Sequence, residues 1–167
     1  MTVRLVDLPL PVLYALRDGD VDTAASILGL EIPTEFAGHV EIWAFMITLL
    51  EGKPFNEGWT MNAIVRDGII VGNAGFKGAP DAAGDVELGY TVLTAHRRQG
   101  IAVAATRLLI RRCVAEPSVT GLYATINPDN AASIATITAA GFAPAGDRIH
   151  ERWGRQLVFR HDLVSVD

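Results

Sequence analysis

The sequence predicts a mixed α/β fold, in which helices cover the faces of one sheet of about seven strands. Three observations lead to this fold class. Apolar, β-branched runs recur along the chain, stretches of helical period separate several of them, and the turn pair Asp67-Gly68 joins two neighbouring runs. The predicted order is a strand, helices, a three-strand antiparallel meander, a helix, a strand, a helix and two final strands.

The first third of the chain predicts one strand followed by helices. VRLVDL fits a short first strand, and Pro11–Arg17 and Val21–Leu28 fit helices separated by the turn DGD. Phe36–Leu50 has the length and the apolar content of one longer helix, which the EGKP stretch ends.

The middle of the chain predicts the antiparallel meander. Asp-Gly between two apolar runs is a strong hairpin signal, because both central residues of such a turn adopt positive φ. In the third strand, DVELGYTVL, the alternation places Val86 and Leu88 on one face and Glu87 on the other.

The last third predicts two helices and three strands. AVAATRLLIRRCV has helical period, and SVTGLYATI is strand-like. Asn130 is suited to cap a helix over Ala131–Ala140, and Gly141 is suited to end it. Two strands, roughly Phe142–His150 and Gln156–Leu163, complete the chain.

Composition narrows the class of protein. A chain of 167 residues is expected to form a single domain over residues 1–167. The formal net charge of −5 argues against a nucleic-acid partner, and no apolar run approaches the ~20 residues of a membrane span. One cysteine and scattered histidines give no metal-ligand spacing, and the first residues lack a signal-peptide layout, so we expect a metal-free cytoplasmic protein.

The stretch HRRQGIA lies between a predicted strand and a predicted helix. A helix N-terminus offers unpaired N–H groups to an anion, and Gly100 lets a ligand approach the main chain closely. Arg97, Arg98 and Gln99 add donors. Neither a P-loop nor a dinucleotide fingerprint occurs here, so the stretch indicates a diphosphate site of another kind. A basic helix start with a glycine for packing is the alternative.

The same stretch resembles a known family motif. RxxGxA from Arg97 is similar to motif A of the GNAT N-acetyltransferase superfamily. VELGY before it, NxxNxxS from Asn127 and AGF from Ala140 resemble the branch that contains the ribosomal-protein N-terminal acetyltransferases. The resemblance covers nearly the whole chain and implies a GNAT-like, mostly antiparallel sheet that splays between its fourth and fifth strands.

The resemblance implies acetyl-CoA as cosubstrate. The N–H groups of Gln99 to Ala102 would hold the pyrophosphate, and the strand edge at Val92–Thr94 would pair with the pantetheine arm. A strand N–H near Val92 would polarise the acetyl carbonyl, while Asn127 would contact the coenzyme arm or brace the gap. The expected coenzyme-binding residues are Val92, Leu93, Thr94, Arg97, Arg98, Gln99, Gly100, Ile101, Ala102, Asn127 and Asn130.

Two residues are candidates for proton transfer. Glu87 would accept a proton from the amine, through water, as the resemblance implies; alternatively it pairs with a basic side chain or faces solvent. Many relatives use a tyrosine on the last helix as the acid, but Ile137 stands at that place here. Ser133 is the expected substitute at the departing sulfur, and a purely structural role in the first helical turn is the alternative.

The predicted activity is therefore acetyl transfer to a primary amine, on a small molecule or a peptide N-terminus. A CoA-binding sensor or assembly module without turnover is the alternative, because the usual tyrosine is missing. The resemblance also implies that two copies can associate as a homodimer.

Overall fold

The computed structural model describes residues 1–163 as one sheet with helices on both faces. The strands are β1 (Val3–Asp7), β2 (Met61–Arg66), β3 (Ile69–Phe76), β4 (Asp85–Val92), β5 (Gly121–Ile126), β6 (Ala143–His150) and β7 (Gly154–Asp162). The helices are α1 (Leu10–Arg17), α2 (Val21–Leu28), α3 (Thr34–Ala37), α4 (Val40–Leu50), α5 (Ile101–Val114) and α6 (Ala131–Ala139). Short 3₁₀ turns lie at Pro54–Asn56 and Thr94–His96.

The sheet has seven strands in the order β1-β2-β3-β4-β5-β7-β6. Its neighbouring strands are antiparallel except β4 and β5, which run parallel. The β4–β5 pairing covers only Asp85–Glu87 opposite Gly121–Tyr123, so the two strands part beyond Glu87. The mostly antiparallel, splayed sheet expected from the sequence is confirmed.

Each face of the sheet has its own apolar core. On one face, Val86 and Leu88 of β4 pack in a cluster with buried residues of α5 and α6, including Leu109 and Ile137. On the other face, the side chains of α1 to α4 pack on β2 and β3, with Trp43 fully buried. The alternation of β4 therefore points Val86 and Leu88 toward α5 and α6 and Glu87 toward the opposite side.

The tight turn predicted at Asp67-Gly68 is confirmed. Asp67 has φ of 51° and Gly68 has φ of 78°, as the two central residues of a hairpin turn require. The cap prediction also holds, since the Asn130 side chain accepts from the Ser133 N–H and Gly141 adopts a φ of 97° just past α6.

The single helix predicted over Phe36–Leu50 is wrong. The chain forms the short α3, turns at Gly38-His39, and begins again as α4 at Val40. Glycine favours a break within a helix, and the turn brings the rings of Phe36 and Trp43 to 4.7 Å in the core. Within residues 1–163, no helix is both long enough and apolar enough to span a bilayer.

Candidate functional site

Beyond Glu87, one edge of β4 lies open in the part of the chain that the structure describes. On the paired edge, the Lys77 N–H donates to the Glu87 carbonyl, and the Leu93 N–H donates to a carbonyl of β3, both at 2.9 Å. Main-chain groups of successive strand residues point to opposite edges. Tyr90 and Val92 therefore direct their main-chain groups toward the open edge.

The turn before α5 exposes a second set of main-chain donors. Arg98 and Gly100 both adopt left-handed conformations, with φ of 61° and 74°. The first helical bond of α5 runs from the Ala104 N–H to the Gly100 carbonyl at 3.0 Å, so the N–H groups just before it have no intrahelical acceptor. The first turn of α5 carries no acidic residue, which leaves its positive end uncompensated.

Two contacts from distant segments fix the start of this turn. The Glu35 carboxylate accepts from the Thr94 N–H at 3.1 Å and from the Thr94 hydroxyl at 2.8 Å, and these bonds hold the pKa of Glu35 below its ordinary value. Arg66 of β2 donates to the Gln99 side chain at 2.6 Å. The turn is thus held by side chains that lie outside it.

The two arginines of the turn differ in their contacts. Arg97 donates through Nε to the Val92 carbonyl at 3.1 Å, which ties the turn back to the open edge of β4. The Arg98 guanidinium makes no hydrogen bond to residues 1–163. Arg98 therefore offers its whole guanidinium to an anion in the cleft described next, whereas Arg97 keeps only its terminal nitrogens.

The open edge of β4, the turn and the start of α6 enclose a cleft of about 630 Å³. It is lined by Tyr90, Thr91, Val92, His96, Arg97, Arg98, Gly100, Ile101, Ala102, Val103, Asn130, Ala132, Ser133 and Thr136. A side chain built on Gly100 would meet nothing within 4 Å, so this glycine keeps the space beside the main chain clear.

Two hydroxyl groups, one from β4 and one from α6, lie at the start of α6. The Tyr90 hydroxyl donates to the Ser133 carbonyl at 3.1 Å, and burial raises the pKa of Tyr90. Asn130, not Ser133, caps the helix, and the Ser133 hydroxyl has no partner among the described residues. Ser133 Oγ is therefore free to bond a ligand.

Glu87 lies where β4 and β5 part, at the centre of a group we name the vertex cluster: Lys77, Glu87, Tyr123, Thr125 and Arg148. Its carboxylate accepts from Lys77 Nζ at 2.9 Å, from the Thr125 hydroxyl at 2.8 Å and from Arg148 at 3.3 Å. Burial opposes ionisation, but the Lys77 charge, these hydrogen bonds and the Arg148 charge outweigh it and lower the pKa of Glu87. Glu87 is an ion-paired carboxylate in this structure.

Comparison with known sequences identifies the family. The profile of the acetyltransferase (GNAT) domain matches residues 12–143. The chain belongs to the GNAT acetyltransferases. An uncharacterized N-acetyltransferase of Bacillus subtilis (strain 168), YjdG, is 37% identical over 73 residues, which is 44% of this chain and 44% of that protein. The matched region is thus less than half of either protein.

Solved structures share the GNAT fold at low sequence identity. The aminoglycoside acetyltransferase AAC(6')-Ib, solved with coenzyme A, has a TM-score of 0.68 and 17% identity, covering 96% of this chain and 95% of that one. The ribosomal L7/L12 α-N-protein acetyltransferase RimL, also solved with coenzyme A, has a TM-score of 0.68 and 16% identity over 98% and 95%. Mycobacterium smegmatis RimJ reaches a TM-score of 0.67 and 20% identity over 96% and 81%.

The cleft of this GNAT domain gathers most of the residues singled out in the sequence. It contains Val92, Arg97, Arg98, Gly100, Ile101, Ala102, Asn130 and Ser133. Glu87 lies at the vertex instead, and the Asn127 side chain accepts from the Asp129 N–H at 2.9 Å within its own turn. Gln99 does not line the cleft with its side chain, which bonds Arg66.

The strand-edge contact expected at Leu93 and Thr94 needs correction. Leu93 is buried in the core under α1 to α4, and its N–H is bonded to the Val71 carbonyl. The Thr94 N–H is bonded to Glu35. Neither N–H is available to a ligand, because the open edge of β4 ends at Val92.

Sequence reasoning missed several residues of the cleft, of which Tyr90 is the most informative. The alternation of VELGY placed Tyr90 on the face of Val86 and Leu88, which indicated burial but not a contact with α6. Thr91, His96, Val103, Ala132 and Thr136 also line the cleft. Across residues 1–163, no group of three or more His, Cys, Asp or Glu side chains is placed to hold a metal ion.

The vertex cluster predicts a pH-dependent contribution of Glu87 to stability. Replacing Glu87 with Gln should lower the free energy of unfolding at neutral pH by about 1 to 3 kcal/mol, since hydrogen bonds to a charged group are lost. Because the folded pKa lies below the ordinary value, this contribution is complete above about pH 4.3 and disappears as pH falls through the folded pKa. Urea unfolding of both proteins over a pH series measures the difference.

The matched control is Glu41→Gln, which removes an exposed carboxylate paired with Arg152. We expect little change for this variant at any pH, because exposed ion pairs contribute little. A difference between wild type and Glu87→Gln that stays constant from neutral to acidic pH would contradict the ion-paired state of Glu87.

Proposed function

We propose that this protein transfers an acetyl group from acetyl-CoA to a primary amine. The observation that carries the proposal is the convergence of two sets of free main-chain donors, on β4 and before α5, in one cleft of a GNAT fold. Acetyl-CoA supplies an activated thioester, and the protein supplies its orientation and the hydrogen bonds at the reacting atoms.

The chemistry of the turn fits a diphosphate. Main-chain N–H groups from Gln99 to Ala102 precede the first helical bond, the space beside Gly100 is clear, and Arg98 brings an unpaired charge. A negatively charged group is favoured at such a helix start. We therefore assign the pyrophosphate of CoA to this turn.

The open edge of β4 fits the pantetheine arm and the thioester. The main-chain groups of Tyr90 and the Val92 N–H face the cleft, while the Val92 carbonyl accepts from Arg97, so an extended ligand with amide groups can pair with β4 as an added strand. In this arrangement a strand N–H of Tyr90 or Val92 donates to the carbonyl oxygen on which negative charge develops during attack. The contact first expected at Leu93 and Thr94 is thus moved back along the strand.

Ser133 is proposed as the donor to the departing sulfur. Its hydroxyl lies in the cleft and is free of protein partners among the described residues. Asn130 supports it by capping α6, and Asn127 shapes the preceding turn. Ile137 is fully buried, so its position on α6 does not face the cleft.

Glu87 is proposed as a proton acceptor that acts through water. Its lowered pKa keeps it ionised over the working range, but it also makes the carboxylate a weak base. The acceptor ammonium therefore does not transfer its proton to Glu87 directly. It loses the proton through water, before or during attack on the thioester. Glu87 therefore has a second proposed role, which is electrostatic: its carboxylate holds Lys77 and Arg148 at the gap between β4 and β5.

Amine-dependent release of free thiol is the central prediction. The purified protein is mixed with acetyl-CoA and a panel of small amines, peptides with free N-termini and aminoglycosides, because the relatives are named for acceptors of these kinds. We expect thiol release to depend on both the amine and the protein, and mass spectrometry to show an acetylated product. CoA binding without release on any amine would favour the sensor instead.

Gly100→Val is predicted to abolish CoA binding, because the branched side chain enters the proposed pyrophosphate path. Gly19→Val is the matched control: Gly19 has a φ of 76° against 74° for Gly100, and at both positions a Cβ meets nothing within 4 Å. Both variants carry the same backbone strain of about 1 to 2 kcal/mol. Calorimetric titration with CoA should show binding to Gly19→Val only; normal binding to Gly100→Val would displace the ligand from this turn.

Ser133→Ala should lower kcat by about tenfold and leave the Kd for CoA unchanged, because one hydrogen bond to a developing thiolate is lost. Thr138→Ala is the control, since it removes an exposed hydroxyl of the same helix that does not line the cleft. Single-turnover kinetics measure the chemical step. An unchanged rate for Ser133→Ala would remove Ser133 from proton transfer.

A further inference from the structure

The vertex cluster carries more positive than negative charge. Lys77 and Arg148 share the single carboxylate of Glu87, which gives the bonded group a formal charge of about +1 at neutral pH. The sequence as a whole has a net charge of −5, so this charge is opposite in sign to that of the chain.

The two cations also keep unused donors. Lys77 gives one hydrogen bond, to Glu87, and its side chain is 34% exposed. Arg148 gives one hydrogen bond to Glu87 through a terminal nitrogen, lies 5.4 Å from the centre of the Tyr123 ring and is 47% exposed. A guanidinium has five N–H donors and an ammonium three, so most of them face solvent.

Two other carboxylates near this side are already paired with cations of their own. Asp147 is bonded to Arg155, and Glu41 is bonded to Arg152. Asp81 accepts from main-chain N–H groups of its own loop, which carry no formal charge, so its negative charge remains and helps to raise the pKa of Tyr123. Asp147 and Glu41 therefore do not cancel the charge of the cluster, and Glu87 is the carboxylate that is bonded to both Lys77 and Arg148.

The vertex cluster lies on the face of β4 from which an acceptor would enter the gap between β4 and β5. Glu87 lies on the face of β4 opposite Val86 and Leu88, and those two residues pack under α5 and α6. The proposed coenzyme site lies at the start of α5 and α6, so an acceptor amine must approach from the face of Glu87. Tyr90 lies three residue steps along the strand from Glu87, a span of about 10 Å.

We propose that the acceptor is a primary amine that carries an anionic group, and that Lys77 and Arg148 bind this group. This inference rests on the proposed function, because it assigns the other end of the same substrate. An anion about 10 Å from the amine fills the unused donors of both cations, with Arg148 suited to bidentate contact. A polycationic acceptor is repelled by the same two side chains.

The test uses ω-amino carboxylates from glycine to aminooctanoate, each compared with its methyl ester, which keeps the amine and loses the charge. We expect the ratio of kcat/KM for acid over ester to exceed about tenfold for the members whose span approaches about 10 Å. The preference should lie mainly in KM, because the anion is bound equally in the ground and transition states. Peptides with an acidic residue near the N-terminus, compared with their amide counterparts, show whether a peptide is the source of the anion.

Arg148→Gln should reduce the acid-over-ester ratio by at least about threefold, and Lys77→Gln gives an independent second variant. Because the ratio is taken within one protein, a general loss of activity cancels. Arg111→Gln is the control, since it removes an exposed cation at the end of α5, and its ratio should equal that of the wild type.

If the esters are acetylated but the acid-over-ester ratio of kcat/KM is near one at every chain length, the proposal of an anionic acceptor is overturned. It is also overturned if Arg111→Gln lowers this ratio as much as Arg148→Gln does. If neither acids nor esters release thiol, the proposed function itself fails and the inference fails with it. Preference for aminoglycosides over all neutral amines would also overturn the proposal.

Discussion

The parting of β4 from β5 is the constraint on which the site depends. Three residue pairs join these parallel strands, and beyond Glu87 the main-chain groups on the β5 side of β4 have no strand to bond, while the opposite edge stays paired with β3. Unpaired polar groups inside a sheet are costly unless something else satisfies them. The cleft is therefore a place where the fold leaves hydrogen-bonding capacity for a ligand, and the turn before α5 and the cap of α6 are arranged around it.

Preorganisation of this cleft comes from contacts made elsewhere in the fold. Glu35 from α3 and Arg66 from β2 hold the two ends of the turn that leads to α5, while Arg97 ties that turn to Val92. Arg98 is a non-glycine residue at positive φ, a conformation that persists where surrounding contacts hold it, whereas Gly100 adopts positive φ without steric cost. The donors are thus oriented before any ligand arrives.

Local chemistry made much of this structure predictable. Asp67-Gly68 predicted a tight hairpin turn, and Asn130 predicted the cap of α6. Gly100, between a predicted strand and a predicted helix, indicated the turn before α5. The break at Gly38-His39 was missed because the apolar pattern continues across it, and tertiary packing of Phe36 on Trp43 decides the turn. Pairing of Glu87 with a basic side chain was one of the two expectations, but the sequence could not name the partners, since Arg148 reaches Glu87 from 61 residues away.

The two faces of β4 contact different parts of the site: one faces α5 and α6, and the other faces the vertex cluster. Val86, Leu88 and Tyr90 point toward α5 and α6, where the residues that resemble the family motif lie. Glu87 points the other way, toward Lys77 and Arg148, which belong to no motif. Because side chains alternate along a strand, substitutions on one face of β4 can change its charge while the residues of the coenzyme face stay the same. Acceptor choice can therefore diverge within one fold without disturbing the main-chain groups that are proposed to bind acetyl-CoA.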